Sequence, residues 1–344
     1  MWLPLVYDLA VDLGTSNTLI HLSGKGVIVR EPTVIARKKK SKELLAVGMD
    51  AKKMRGKKPA ASAGGRPLKA GVIADFDATV AMLKYYFEQI SQHVGFLPRL
   101  IRPRVVVGIP GGVTEVEKRA VQDAALSAGA RQALLVEGPL AAAVGAGIAI
   151  IRPDGHLVVD IGGGTTEIAV ISLSGIVVNR SLRTAGNAMD QAIVNAVRLS
   201  HGLLLGEATA EEVKINIGSA TALEKEKVFG VRGRDIGQGL PRSLKLKSAE
   251  VREVLVPIVQ EITAAVTDIL EETPPELVAD ILKHGIVLSG AASLLPGIDQ
   301  VISEATKMPV GVTEVPQDVL VRGLAKLLTN RRLLEAVRLK RGLS

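Results

Sequence analysis

The sequence predicts an α/β protein of two related lobes with a ligand-binding cleft between them. The first observation is a strand, a tight glycine turn and a second strand over residues 158–172, with Asp160 ending the first strand. The second is a partial copy over residues 9–20, which aligns without gaps and places Asp12 on Asp160. The third is the alternation of strand and helix patterns between these units. Two matching units imply two matching halves, and ligands commonly bind between such halves.

The repeated turn has the chemistry of a phosphate site. Glycine lets the backbone approach a ligand closely, so that successive N–H groups can surround phosphate oxygens. An aspartate does not attract phosphate by charge, and its natural partner there is a hydrated divalent cation. The alignment also pairs Gly14 with Gly162 and Thr18 with Thr166. Two ordinary hairpins with glycine turns are the alternative interpretation.

The first half contains short strands, a basic insertion, and then alternating strands and helices. Asp75 is suited to cap a helix start, and Thr114 and Glu117 have the spacing of a capping box. Residues 31–70 are basic and rich in glycine, alanine and proline, which predicts a small, less regular insertion. The predicted strands are 7–13, 18–22, 26–30, 104–109 and 132–136, and the predicted helices are 74–91, one after Thr114 to about 127, and 139–147.

The second half repeats this scheme, with a long helix over 248–271 that has apolar residues at helical spacing. The predicted strands are 156–160, 167–172, 175–182 and 286–288, with further short strands within 226–247, and the other predicted helices are 188–199, 209–217 and 331–341. The predicted lobes are residues 1–145 with 310–344, including a small basic subdomain at about 31–70, and residues 146–309, including a small subdomain at about 183–247.

Composition excludes several classes of protein. The 344 residues include no cysteine, which excludes disulfides and thiolate metal sites and is typical of a reducing compartment. No apolar run approaches the roughly 20 residues of a membrane-spanning helix, and residues 1–6 do not have the pattern of a secretory signal. The net charge is +8, concentrated in basic runs at 37–42 and 52–58. Aromatic residues make up only 2%, so we expect no specific nucleic acid partner.

The two Asp–Gly–Thr hairpins and a late strand followed by a glycine turn resemble the superfamily of actin, sugar kinases and heat-shock chaperone ATPases. Within that superfamily the chain is similar, almost from end to end, to the MreB family of bacterial actin homologues. The motifs that carry this resemblance are at 12–18, 71–76, 109–120, 159–172, 209–211, 250–253 and 273–277. Together they are far more specific than any one of them.

The resemblance implies an actin-like (ribonuclease H-like) fold of two lobes around a nucleotide cleft, with ATP and Mg²⁺ as ligands. It implies that Asp12 and Asp160 hold Mg²⁺ through its waters. The implied phosphate donors are Gly14, Thr15, Ser16 and Asn17 in one turn and Gly162, Gly163, Gly164 and Thr165 in the other. The implied contacts to the nucleoside are Glu211, Lys214, Gly290, Ala291, Ala292 and Ser293.

Three positions depart from the family pattern. The carboxylate that orients the attacking water is expected at the position that Gly138 occupies, with Glu137 one residue away. Glu137 and Thr165 are therefore the catalytic candidates, and we expect ATP·Mg²⁺ binding with weak hydrolysis. The other departures are Ala291-Ala292 in place of two glycines and Asn187 in place of an aspartate. The alternative is that these changes are tolerated and that ATPase activity is ordinary for the family.

The resemblance also implies self-association and membrane contact. It implies filaments of paired protofilaments, although no residue pattern in this sequence identifies the filament contacts. It also implies cell-wall elongation proteins as partners. Residues 95–104 combine apolar and basic side chains at the place of a membrane-inserting loop, in which Phe96 and Leu97 are the anchors, with Trp2 as a second one. This predicts a cytoplasmic protein at the inner face of the cell membrane. The alternative is that the apolar side chains of this segment pack on the core.

The predicted function is that of a membrane-associated cytoskeletal protein that organises cell-wall synthesis and rod shape. A related alternative is an actin-like filament that positions plasmids or organelles. A small-molecule kinase of the same superfamily is the enzyme alternative, although no convincing catalytic aspartate for it is evident in the sequence. A chaperone would need a peptide-binding domain that the sequence pattern does not indicate.

Overall fold

The structure, a computed structural model, describes residues 7–54, 62–92 and 102–339. The predicted membrane anchors Trp2, Phe96 and Leu97 lie outside these residues. Within the described ranges, no helix combines the length and the apolar character needed to cross a membrane.

Two five-stranded sheets form the centre of the molecule, with strands numbered along the chain. The first consists of β1 (Asp8–Leu13), β2 (Asn17–Leu22), β3 (Gly26–Pro32), β9 (Arg104–Ile109) and β10 (Gln132–Glu137). The second consists of β11 (His156–Ile161), β12 (Thr166–Ser172), β13 (Gly175–Leu182), β17 (Ile286–Ser289) and β18 (Val310–Val312).

The two sheets have the same topology. Their strand orders are β10-β9-β1-β2-β3 and β18-β17-β11-β12-β13. In each, three antiparallel strands are extended by two parallel ones on the other side of the first strand. The predicted repeat of the hairpin is therefore confirmed as a repeat of the whole sheet. The last strand of the second sheet, β18, ends at Val312. The lobe boundaries given above remain predictions.

The second hairpin is buried on both of its faces, which explains its run of apolar residues without alternation. One face, with Val159 and Ile168, packs in the core of its own lobe. The other face, with Val158, Ala169 and Ile171, packs in a separate cluster between the two sheets. The strands therefore hold the turn between them at the junction of the lobes.

The helices of the described residues are again numbered along the chain. They are α1 (Gly48–Met54), α2 (Phe76–Ser91), α3 (Glu115–Ser127), α4 (Gly138–Gly145), α5 (Gly186–His201), α6 (Glu207–Ile217), α7 (Ser248–Glu272), α8 (Pro275–His284), α9 (Ile298–Thr306), α10 (Val319–Thr329) and α11 (Arg331–Val337). The predicted caps of α2 and α3 are confirmed. Asp75 accepts a hydrogen bond from the Ala78 N–H, and Thr114 and Glu117 form a reciprocal capping box.

The insertion after β3 is more regular than the sequence predicted. β4 (Ile35–Lys38), β5 (Leu44–Val47) and β6 (Ser62–Gly65) form a three-stranded sheet, and β7 (Leu68–Lys69) pairs with β8 (Val72–Ile73). The prediction of a less regular insertion was wrong because β6 consists of serine, alanine and glycine, which have low strand propensity. In the second half, β14 (Leu203–Leu204), β15 (Val228–Asp235) and β16 (Pro241–Lys247) form the corresponding small sheet.

The chain passes between the two sheets through two helices that pack directly on each other. α4 connects β10 to β11, and α10 follows β18. A Cβ atom on Gly323 would lie 1.7 Å from the Ala141 carbonyl oxygen, and one on Gly145 would lie 1.9 Å from the Val319 oxygen. The backbones of α4 and α10 are therefore in contact at these two glycines, which positions both sheets relative to the cleft.

We predict that Gly323→Ala destabilises the protein by about 1–3 kcal/mol, because the added methyl overpacks the contact between α4 and α10. Chemical unfolding followed by circular dichroism measures this loss. The matched control is Gly230→Ala in β15, where an added Cβ has no atom within 4 Å and where we expect little change. Equal stability of both variants would contradict the close contact between the helices.

Candidate functional site

A cavity lies between the sheets, where the turns of the two hairpins meet. Its lining includes both turns, both aspartates and the start of the late glycine turn. The predicted site residues in this lining are Asp12, Gly14, Thr15, Ser16, Asn17, Asp160, Gly162, Gly163, Gly164, Thr165, Gly290 and Ala291. The structure therefore brings most of the predicted site to a single cleft between the lobes.

The two glycine turns touch across the cleft. A Cβ atom on Gly163 would lie 2.1 Å from Ser16 Oγ, and one on Gly164 would lie 2.4 Å from Thr15 Oγ1. Only glycine fits at these two positions. Because the turns are in direct contact, phosphate oxygens can enter between them only if the lobes move apart.

One hydrogen bond crosses this contact, and two others fix the turns within their own lobes. Ser16 Oγ donates to Asn187 Oδ1 at 2.9 Å, and the Gly71 N–H donates to Thr15 Oγ1 at 2.8 Å. The Asn187 N–H in turn donates to the Gly163 carbonyl at 2.8 Å. Asn187, one of the three departures from the family pattern, therefore takes part in holding the two turns together.

The paired threonines Thr18 and Thr166 have a structural role. Both side chains are fully buried. The hydroxyl of Thr18 is 2.9 Å from that of Thr33, and the hydroxyl of Thr166 donates to the Thr184 carbonyl at 2.7 Å. Each threonine therefore joins its hairpin to a neighbouring segment and does not line the cavity.

The two aspartates carry perturbed carboxyl groups at the centre of the cleft. Burial raises the pKa of Asp12 to about 7, with further contributions from the charges of Asp160 and Asp318. Burial also raises the pKa of Asp160, against the effect of a 2.6 Å hydrogen bond from Ser289 Oγ. No cationic side chain pairs with either aspartate among the contacts of the described residues. Two close carboxylates without such a partner form an environment that favours a cation.

Glu167 is a third carboxylate in the lining. It is only 5% exposed, and burial raises its pKa to about 7, while hydrogen bonds from Ser181 and Gly111 act in the opposite direction. Its Oε2 accepts from the Gly111 N–H at 3.1 Å, and its Oε1 accepts from Ser181 Oγ at 2.6 Å. Since Gly111 follows β9 of the first sheet, Glu167 connects the two lobes at the floor of the cleft.

The two residues at the start of α4 differ in their relation to the cleft. Gly138 lines the cavity, whereas Glu137 is not part of the lining. Glu137 is the N-cap residue of α4, without a side-chain capping bond, and pairs in register with Ile109. The structure therefore does not bring the predicted catalytic carboxylate of Glu137 together with Thr165 and the aspartates.

The predicted nucleoside contacts lie farther out. Glu211 lines a second cavity and accepts a hydrogen bond from Lys52 Nζ at 2.6 Å, which joins the small subdomains across the mouth of the cleft. Lys214 Nζ lies 2.8 Å from Asp190 Oδ1 and 3.0 Å from the Gly186 carbonyl, outside both linings. No contact given for the described residues joins Glu211 or Lys214 to the two glycine turns.

The late glycine turn tolerates its two alanines. Gly290 has a φ of 83°, and a Cβ there would lie 2.3 Å from the Ile161 oxygen, so that glycine is required. Ala291 and Ala292 continue as a short 3-10 helix and have no positive φ. Ser293 is buried and donates to the Gly290 carbonyl at 2.7 Å, which stabilises the turn.

Several residues that line the cavity were not predicted from the sequence. These are Leu19, Gly71, Pro110, Glu167, Gln317 and Leu320, among others. A signal for one of them was present, because Glu167 is a charged residue at the start of an otherwise apolar strand. Leu19 lies on β2, and the others named come from loops and helices whose position depends on long-range packing.

The sequence matches the model of a known protein family over most of its length. A family model described as MreB/Mbl protein matches residues 6–336. The chain belongs to the MreB/Mbl family. Cell shape-determining protein MreB of Escherichia coli is 46% identical over 325 residues, 93% of each chain. Cell shape-determining protein Mbl of Bacillus subtilis is 43% identical over 323 residues, 94% of this chain and 96% of its own.

A solved structure of the MreB/Mbl kind confirms the fold. The crystal structure of MreB5 of Spiroplasma citri bound to ADP superimposes with a TM-score of 0.89 at 36% identity, covering 96% of this chain and 98% of its own. The same protein bound to AMPPNP gives the same values. The predicted actin-like two-lobed fold is therefore confirmed, and the chain is an actin-like member of a family of cell shape-determining proteins.

Proposed function

We propose that this protein binds ATP with Mg²⁺ in the cleft and assembles into membrane-associated, actin-like filaments that organise cell-wall synthesis and rod shape. The observation that carries this proposal is the pair of opposed glycine turns, each preceded by a half-buried aspartate that lines the cavity, at the junction of two sheets of equal topology. The ADP and AMPPNP complexes of MreB5 of Spiroplasma citri support nucleotide as the ligand.

The donor set fits Mg²⁺ held through water and phosphate. The described residues contain no group of three or more histidine, cysteine or acidic side chains arranged to hold a metal by themselves. Asp12 and Asp160 provide two carboxylates, and Mg²⁺ is usually bound by one or two carboxylates, several waters and substrate phosphates. The raised pKa of Asp12 reflects repulsion and burial that a cation between the carboxylates would relieve.

The proposed roles of the residues in the cleft follow from these positions. Mg²⁺, when bound, neutralises phosphate charge. The N–H groups of Gly14 to Asn17 and Gly163 to Thr165 would bind phosphate oxygens after the lobes part, and Thr165 would orient the terminal phosphate. The Gly162 N–H instead donates to the Thr165 carbonyl and holds the turn. Glu211 would be released from Lys52 to bind the ribose. Hydrolysis is weak in this proposal, because Gly138 supplies no carboxylate to the cavity.

The proposal is tested with the purified full-length chain. Binding of a fluorescent ATP analogue with and without Mg²⁺ measures the ligand, and light scattering followed by electron microscopy on anionic lipid measures assembly. We expect Mg²⁺-dependent binding and lipid-bound filaments. Absence of filaments under all nucleotide conditions would contradict the cytoskeletal function, and phosphorylation of a sugar would favour the kinase alternative.

For the membrane contact, we predict that Phe96→Ser/Leu97→Ser weakens binding to anionic vesicles about tenfold or more. Two apolar side chains that enter the bilayer interface each contribute about 1.5–3 kcal/mol when fully buried. Vesicle pelleting measures the bound fraction. The matched control is Leu199→Ser, which removes a leucine that is 78% exposed on α5. Binding of the double variant equal to that of wild type would refute this anchor.

A further inference from the structure

The two hairpins differ at the cavity-lining position that faces each aspartate on the next strand. In the first hairpin, Asp12 pairs in register with Leu19, and in the second, Asp160 pairs with Glu167. Both members of both pairs line the cavity. The sheet topology and the aspartate are repeated in the two halves, whereas the carboxylate at position 167 is present in only one of them. The repeated glycine turns therefore do not require this carboxylate.

The position of Glu167 follows from the strands. Its side chain lies on the same face of the hairpin as that of Asp160, because directly opposed residues of an antiparallel pair share a face. Farther along that face, Val158 and Ala169 pack between the lobes. Glu167 therefore stands where the packed face ends and the cavity begins.

The orientation of the Glu167 carboxylate is fixed from two sides. One oxygen accepts from Ser181 Oγ on β13, and the other accepts from the Gly111 N–H of the first lobe. A carboxylate oxygen has two acceptor sites, so each oxygen retains capacity for a further donor such as water. The bond to Gly111 exists only while the lobes are close, so this orientation depends on closure of the cleft.

Apart from Asp12, the described residues of the first lobe place no carboxylate in this lining. Gly138, at the start of α4, lines the cavity without a side chain, and Glu137 lies outside the lining. Glu167 is thus the carboxylate of the lining that remains once Asp12 and Asp160 are assigned to the cation.

We propose that Glu167 orients the water that attacks the terminal phosphate of ATP. This inference rests on the proposed function. The water oxygen bonds to the γ-phosphorus, and the bond from that phosphorus to the bridging oxygen breaks with its electron pair left on ADP. Both hydrogens of the water end on inorganic phosphate, which releases one proton to solvent at neutral pH. Glu167 accepts a hydrogen bond from the water and fixes its approach.

The test compares wild type with Glu167→Gln. Glutamine preserves the contacts, because its oxygen can accept from Gly111 while its NH₂ group donates to Ser181 Oγ. Glutamine removes the negative charge, so the hydrogen bond that its oxygen accepts from the water is weaker than the one to a carboxylate. We expect single-turnover release of γ-labelled phosphate to fall about 100-fold. The affinity for ATP·Mg²⁺ and the midpoint of thermal unfolding should both stay close to wild type. A second variant, Gly138→Glu combined with Glu167→Gln, should recover most of the lost rate.

The outcomes separate the inference from the function on which it rests. Unchanged hydrolysis in Glu167→Gln with normal ATP affinity would overturn the role of Glu167 and leave nucleotide binding intact. A parallel loss of affinity and thermal stability would also overturn it, since the side chain would then act only in holding the lobes. Failure of the wild-type chain to bind ATP would instead contradict the proposed function.

Discussion

Gly138→Glu is expected to raise the rate of phosphate release by about 100-fold, because it places a carboxylate in the cavity beside the phosphate turns. The backbone can accept the change. A Cβ on Gly138 would lie 3.4 Å from the Ile109 oxygen and 3.4 Å from Leu320 Cδ1, and both are ordinary contacts. The glycine also has no positive φ that would disfavour a side chain.

The control for this gain is Gly138→Gln, which has nearly the same volume and no charge. We expect that variant to bind ATP·Mg²⁺ and to release phosphate at about the wild-type rate. Phosphate release followed under multiple-turnover conditions distinguishes the two. Equal rates in all three proteins would show that position 138 does not limit hydrolysis.

Asp12→Asn is expected to weaken ATP·Mg²⁺ binding by about 100-fold or more while stabilising the protein without ligand. The loss follows because one of two carboxylates available to the cation is removed. The gain follows because burial and the charge of Asp160 make the ionised Asp12 unfavourable in the folded state. Binding is measured by titration with a fluorescent ATP analogue, and stability by thermal unfolding.

The pH dependence of both effects has a definite sign. The pKa of Asp12 is about 7 in the folded protein, above its value of 3.8 in the unfolded chain, so the folded state retains the proton longer. The contribution of Asp12 to stability therefore falls as pH rises from about 4 to about 7 and stays low above that range. Asp12→Asn should melt higher than wild type at pH 8, with a smaller difference at pH 5. In wild type, ATP·Mg²⁺ affinity should weaken as pH falls below about 7.

Asp123→Asn is the matched control, because Asp123 is exposed on α3 away from the cavity. It should leave both the ATP·Mg²⁺ affinity and the melting temperature as in wild type at each pH. If Asp12→Asn melted lower than wild type at pH 8 without ligand, burial of the charge would not be the dominant effect at this position.

Local patterns in the sequence were sufficient to predict the two central hairpins and their glycine turns. The turn at Gly162 to Gly164 lies between strands whose apolar residues are buried on both faces, so its position follows from short-range pattern. The repeat at Asp12 then predicted a second matching half, and in the structure this half contains a second sheet of equal topology.

The remaining features depend on contacts between distant segments. α10 was not among the helices predicted from the sequence, although its contact with α4 connects the lobes. The pairing of Lys52 with Glu211 spans 159 positions and involves an exposed basic run that has no local signature. Glu167 was visible as a charge in an apolar strand, but its contact with Gly111 could only be seen once β9 and β12 were placed.

The contact of α4 with α10 has a mechanical consequence. At Gly145 and Gly323 the two backbones meet directly, and side chains of both helices, among them Leu140 and Leu324, pack around this contact in one buried cluster. Parting of the turns is therefore expected to occur by movement of the lobes about this packed contact. The chain passes between the sheets at this contact, and each lobe carries a small sheet, β4–β6 in the first and β14–β16 in the second. Lys52 and Glu211 join the lobes at the mouth of the cleft, so their contact is expected to be lost when the turns at Ser16 and Gly163 part.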